Sequence, residues 1–166
     1  MYLECSVYVG SKWHHIKTKD IIISKKHKSF IQEFDDFKEV NKYPVDNIST
    51  ISYEVAYWRK ANQIHKWFVD NVQQGKDDGE RYYVGRDKVE ELKNLCAELL
   101  KDKDKDKALK LLPPQSGFFF GATSEEEDED FWEYYWGDLE DTVNQLEEAL
   151  KFGDKYNGTF YYQASW

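Results

Sequence analysis

The chain is poor in residues that build cross-links, metal centres and cofactor cradles. Its two cysteines, Cys5 and Cys96, lie far apart with no CxxC or CxxxH grouping near either. Neither a disulfide framework nor a zinc site follows from them. No metal is expected, and a reducing cytoplasm is the expected compartment. No apolar run approaches the ~18 residues of a membrane span, and no basic-then-apolar leader opens the chain. A soluble cytoplasmic protein without a membrane partner is expected. The nucleotide cradles GxxxxGKS/T and GxGxxG are missing, as are GxSxG, HExxH and any neighbouring Cys–His pair. No cofactor is expected.

Basic residues are missing from one long stretch. Between Ala122 and Leu150 there are twelve acids and no Lys or Arg, within a chain of 32 acidic and 23 basic residues and net charge −9. The rest of the chain is therefore slightly basic, and the acidity belongs to one segment. Repulsion there disfavours generic nucleic-acid binding. Aromatic residues, by contrast, are abundant at 17% of the sequence. Each buries a large area, so a substantial core is compatible with 33% charged residues. The length fits one domain spanning residues 1–166.

Leu3, Cys5, Val7 and Val9 alternate with Tyr2, Glu4, Ser6 and Tyr8, the period of a strand. Gly10-Ser11 and Trp13–Lys17 extend it into a hairpin, Ile21–Ile23 reads as a short strand, and a short helix is expected within Ser24–Ile48. Gln74–Gly79 is a loop. A helix is predicted from Arg86 to about Lys101, with Val89, Leu92, Cys96 and Leu99 inward. The alternating Lys101–Lys107 run is either a charged docking segment or a solvated helix end. Another helix, roughly Glu127 to Phe152, carries Phe131, Tyr135, Leu139, Val143, Leu146 and Leu150 on one stripe and ends at Gly153. Thr159–Trp166 alternates again as a strand. These elements predict an α+β domain in which the N-terminal hairpin pairs with the C-terminal strand and packs against three main helices. That pairing brings Tyr162 and Gln163 towards the helices.

The most distinctive stretch is Tyr57–Phe68. It lies in a Ser52–Val72 run free of Gly and Pro that reads as one helix. At about 100° per residue, Tyr57, Ala61, Ile64, Phe68 and Val72 form an apolar stripe. Glu54, Trp58, Asn62 and His65 form a ladder on its flank. Polar groups placed where a helix meets its neighbours must find hydrogen-bond partners, in the protein or in a ligand. Glu54 precedes His65 by about three turns, so on one helix the two cannot touch, and no local partner fixes the His65 tautomer. Arg59 and Lys66 either clamp a phosphate or form a solvated face on which Lys66 pairs with Asp70. Trp58 and Trp67 lie on different helix faces, leaving one available for stacking.

Two further stretches carry alternatives. Gln115-Ser116-Gly117, ahead of Phe118–Gly121, offers backbone amides to an anion or else is a short buried strand. Glu125, Glu126, Glu127, Asp128, Glu129 and Asp130 lack the spacing of a calcium loop. They either complement a helix N-terminus or present an acidic face to a basic partner.

Glu54–Val69, Arg86–Leu92, Leu112–Gly121 and the ending Tyr161–Trp166 resemble a family of small phage and bacterial proteins. Members often begin Gly-Leu-Asp-Met-Tyr-Leu, of which Met1-Tyr2-Leu3 stands here. Some members carry a phosphoglycerate kinase label. This chain is too short for that two-domain enzyme and lacks its phosphate-binding motifs. The resemblance implies a mobile-element setting in a bacterial host cell and a site on the Trp58–His65 helix face.

The expected function is that of a non-enzymatic binding protein of phage type. It would sequester a small polar ligand, a nucleotide or nucleotide-like immune signal, or bind a host defence protein. For a ligand, Arg59 and Asn62 contact polar groups, His65 orients them, and Trp58 or Tyr162 stacks beside Gln163. Gln115, Ser116 and Gly117 supply backbone donors. Two alternatives stand beside it: a small hydrolase or transferase with His65 and Glu54 as acid–base groups, and an acidic decoy acting through Glu125–Asp141.

Overall fold

The computed structural model describes residues 1–8, 50–114 and 129–164. The chain divides into two compact units, Met1–Ser6 with Ser52–Trp166, and Val7–Ile51. The hairpin return at Trp13–Lys17, the strand at Ile21–Ile23 and the helix within Ser24–Ile48 lie outside the described residues. In chain order the elements are β1 (Tyr2–Tyr8), β2 (Thr50–Tyr57), α1 (Asn62–Asn71) and β3 (Tyr82–Val84). There follow α2 (Arg86–Asp102), α3 (Lys105–Leu111), α4 (Glu129–Tyr156) and β4 (Thr159–Gln163). The fold is α+β, and the described strands form one sheet in the order β2-β1-β4-β3.

Alternation in β1 holds over Tyr2–Cys5, while Ser6, expected on the outer face, is also buried. Leu3, Cys5 and Val7 are buried. The N-terminal strand pairs antiparallel with the C-terminal one, setting Leu3 opposite Tyr162 and Cys5 opposite Phe160. On the other side of β4, Val84 of β3 also meets Phe160. Buried Leu3, Cys5, Val84, Phe160 and Tyr162 thus share one face of the sheet. On that face the Phe68 ring of α1 stacks on Tyr162, with centroids 3.9 Å apart and planes at 8°.

The expected Ser52–Val72 helix is corrected. Its first part is β2, and α1 begins only at Asn62. Ile51, Tyr53 and Val55 alternate with Thr50, Ser52 and Glu54, and β-branched and aromatic residues suit a pleated surface. Trp58 N–H donates to the Met1 carbonyl at 2.9 Å, extending the pairing of β2 with the start of the chain. Lys60 then adopts φ +64°, a left-handed conformation that no continuous helix accommodates. Of the predicted stripe, Ala61, Ile64 and Phe68 are buried, while Tyr57 stays 53% exposed at the end of β2.

The α2 prediction agrees closely with the structure: Val89, Leu92, Cys96 and Leu99 are its buried residues. The Lys–Asp alternation resolves into a helix break. Lys103 ends α2 in the left-handed conformation, and Asp104 Oδ1 accepts the Lys107 amide at 3.1 Å to start α3. Helix α2 packs along α4. Helix α4 runs past Gly153 to Tyr156, so Gly153 is not its end. The terminus is made by Asn157 at φ +51° and by Gly158 N–H donating to the Gly153 carbonyl at 2.9 Å. Gly153 serves packing instead: a Cβ there would lie 2.5 Å from the Phe160 ring.

Substituting the two α4 glycines is expected to give opposite results. Gly153→Ala forces a methyl against buried Phe160 and should cost roughly 1–3 kcal/mol. At Gly137 an added Cβ meets nothing within 4 Å, so Gly137→Ala should stabilise by roughly 0.5–1 kcal/mol. Urea unfolding of both variants checks this, and a stable Gly153→Ala protein would show that the Phe160 contact is soft.

Candidate functional site

Trp58 and His65, singled out in the sequence, and Gln63, which was not, form a hydrogen-bonded seam inside the fold. Trp58 is buried, and its Nε1–H donates to the Thr142 hydroxyl of α4 at 2.9 Å. Thr142 in turn donates to the Asp138 carbonyl at 2.6 Å. Gln63, also buried, donates from Nε2 to Asp138 Oδ2 at 3.0 Å. Asn62 is buried beside them in sequence. Both α1 and the chain leading into it are therefore fastened to α4 by hydrogen bonds across long sequence separations.

His65 fastens α1 to the sheet. It has no exposed surface. Its Nδ1 lies 2.7 Å from the Tyr162 hydroxyl of β4, and its Nε2 lies 3.1 Å from Asp77 Oδ2 in the loop after α1. With Nε2–H turned to the Asp77 carboxylate, Nδ1 accepts from Tyr162; the Nε2 contact itself falls outside hydrogen-bond geometry and is an electrostatic one. Burial lowers the His65 pKa, Asp77 opposes that shift, and the amino group of Met1 adds to it. The neutral ring is thus the folded form at neutral pH. Burial also pushes the Tyr162 hydroxyl above its ordinary range, with the Asp77 charge adding to the rise.

The remaining predicted residues are dispersed. Arg59 is exposed on the turn between β2 and α1, and Lys66 pairs with Asp70 at 2.8 Å, the solvated alternative. Glu54 is exposed on β2, and the carboxylate at His65 is that of Asp77. Gln163 does not approach the helices as anticipated. Adjacent strand residues point to opposite faces, so only Tyr162 turns inward. Gln163 instead accepts from the Tyr2 hydroxyl at 2.8 Å and donates to the Gly79 carbonyl at 2.9 Å. Gln115, Ser116, Gly117, Glu125, Glu126, Glu127 and Asp128 lie outside the described residues. Glu129 and exposed Asp130 open α4.

An open groove of about 500 Å³ lies on α4. Glu133, Asp138, Glu140 and Asp141 line it together with Tyr134, Trp136, Gly137 and Lys103. Lys103, the cation in this lining, already donates to Glu140 at 3.2 Å. Tyr134 is 76% exposed, so its ring face is accessible to a cation. Burial pushes the Asp138 carboxyl up to about 6; the Gln63 amide pulls it down and Asp141 adds to the rise. Such a group takes up or releases a proton near neutral pH. Charge counts alone cannot locate this groove, because the i, i+3 and i+4 spacing of Glu133, Gly137, Asp138, Glu140 and Asp141 acquires meaning only once the inward face of α4 is known.

Two measurements follow from this geometry. Tyr162→Phe leaves the buried Nδ1 of His65 without that hydroxyl and should cost about 1–3 kcal/mol in urea unfolding with an unchanged m-value. An unchanged midpoint would mean that the bond contributes nothing net. For Asp138, the folded state holds the proton more tightly than the unfolded chain, so its contribution to stability falls as pH rises from 3.8 to about 6. Asp138→Asn should therefore gain on the wild type between about pH 4 and pH 7; parallel stability profiles would refute the shift. No protein-family model, no curated protein and no solved structure matches the chain.

Proposed function

We propose that this chain is a non-enzymatic binding protein that engages a basic protein surface through the acidic, aromatic face of α4. The groove bounded by Glu133, Tyr134, Trp136, Asp138, Glu140 and Asp141 is the observation that carries the reading. Among the described residues, four carboxylates set against one cation in this lining create a negative potential that attracts Lys and Arg side chains and speeds their encounter. The accessible Tyr134 ring adds a surface for cation–π contact. In the mobile-element setting implied by the resemblance, the partner is a host defence protein.

The interior supports a surface mode of action over capture in an enclosed pocket. Trp58, Gln63 and His65, on the stretch that the sequence offers to a small ligand, are hydrogen-bonded to Thr142, Asp138 and Tyr162. Catalysis by His65 with Glu54 is disfavoured in the same way. One is enclosed in α1, and the other is exposed on β2.

Native mass spectrometry of the protein purified from bacterial cells, beside a Glu133→Gln/Glu140→Gln/Asp141→Asn variant, tests the proposal. The wild type should carry a basic protein partner, and the variant should lose it without losing thermal stability. Affinity measured with the recovered partner should fall at least about tenfold between about 50 and 300 mM salt. A partner retained by the variant, or a bound small molecule in place of a protein, overturns the reading.

A further inference from the structure

The loop between α1 and β3 is built differently from the elements it joins. Residues 74–78 are exposed, and Gln73 is the buried residue within the loop. Its fastenings are polar. Gly75 N–H donates to the Val69 carbonyl at 2.8 Å, Lys76 N–H to the Gln73 carbonyl at 3.1 Å, and Gln73 Nε2 to the Lys76 carbonyl at 2.9 Å. Asp78 accepts from the Tyr82 hydroxyl at 2.7 Å, and Gln163 reaches the Gly79 carbonyl at 2.9 Å. Asp77 lies against His65. Gln74, Gly75 and Gly79 all have positive φ, which for Gln74 is a strained conformation. Gln73 Oε1 is buried and accepts from no donor among the described residues.

We propose that residues 72–80 form a strap that opens as a unit and uncovers the His65–Tyr162 pair, and that acid favours the open form. The cost of opening is low. The loop's bonds, exposed at Asp78 and part-buried at Gln73 and Gly79, are exchanged for bonds to water, residues 74–78 are exposed already, and the enclosed Gln73 oxygen gains hydration. The strain at Gln74 is also released.

The pH dependence follows from burial. Among the described residues, the charged and titratable groups acting on His65 include Asp77 from the strap, Tyr162 from β4 and the amino group of Met1. Their joint effect with burial holds His65 below its ordinary 6.5. Hydration on opening returns the ring towards that value, so the open form binds protons more readily than the closed one. Opening therefore increases as pH falls through 6.5, and at one pH unit below it the gain is at most about tenfold.

Amide hydrogen exchange on the intact chain, corrected for intrinsic chemistry, tests this. Gly75 and Lys76 should exchange at least about tenfold faster than Cys96 in the α2 core at pH ~7.5. Their protection should fall by up to about tenfold on going to pH ~5.5, and His65→Asn should abolish that fall. Exchange of Gly75 and Lys76 at the Cys96 rate would show that the strap opens only when the whole unit unfolds. A pH dependence that survives His65→Asn would equally overturn the proposal. Should that variant fail to fold, the His65 ring titration in the wild type decides: absence of any coupling between it and the Gly75 amide signal refutes the device.

Discussion

The organisation of the main unit depends on the contact between Tyr162 and α1. The ring lies flat on Phe68, and the hydroxyl meets His65 Nδ1 one turn earlier on the same helix. One side chain thus supplies apolar area and the hydrogen bond that a buried imidazole requires. The contact also fixes the rotation of α1 about its axis. With Phe68 and His65 both turned to β4, Gln63 reaches Asp138 of α4, and Lys66 remains at the surface with Asp70.

Helix α4 is the second support, and it has two unlike sides. Its buried side includes Trp132, Tyr135, Leu139, Thr142, Leu146 and Leu150, and it runs along α2. Tyr135 also donates to the Leu112 carbonyl at 2.8 Å, holding the end of α3. Its outer side carries carboxylates at helical spacing. Asp138 belongs to both: it anchors Gln63 and lines the groove. A carboxyl held near 6 by burial joins the internal seam to the outer face. Occupation of the groove by a cation would favour the ionised form of Asp138 and so strengthen the Gln63 bond.

Elements with an unambiguous period were legible in the sequence. Helix α2 has its apolar residues at i, i+3, i+7 and i+10, and no other backbone buries that set together. The strands β1 and β4 alternate just as clearly, and their pairing followed from the need to cover two half-buried strands. Ser52–Val72 failed because its apolar residues satisfy a period of two as well as a helical one. Without Gly or Pro to mark the change, the left-handed Lys60 was invisible. Gly153 misled for a related reason: glycine ends helices through its backbone freedom, yet here it gives the Phe160 ring room.

For the site, the sequence by itself determined that Trp58, Asn62 and His65 need partners, because polar groups near an apolar stripe cannot be left bare. It also determined that acidity is concentrated in one segment. Tertiary structure alone decided that Thr142, Asp138, Tyr162 and Asp77 take up the polar groups of Trp58, Gln63 and His65, since these partners come from distant stretches of chain. It also decided which acids share a groove, because a helix has an outer face only when its inner one has been packed. Side-chain chemistry states a requirement locally, and only the folded chain brings together the groups that meet it.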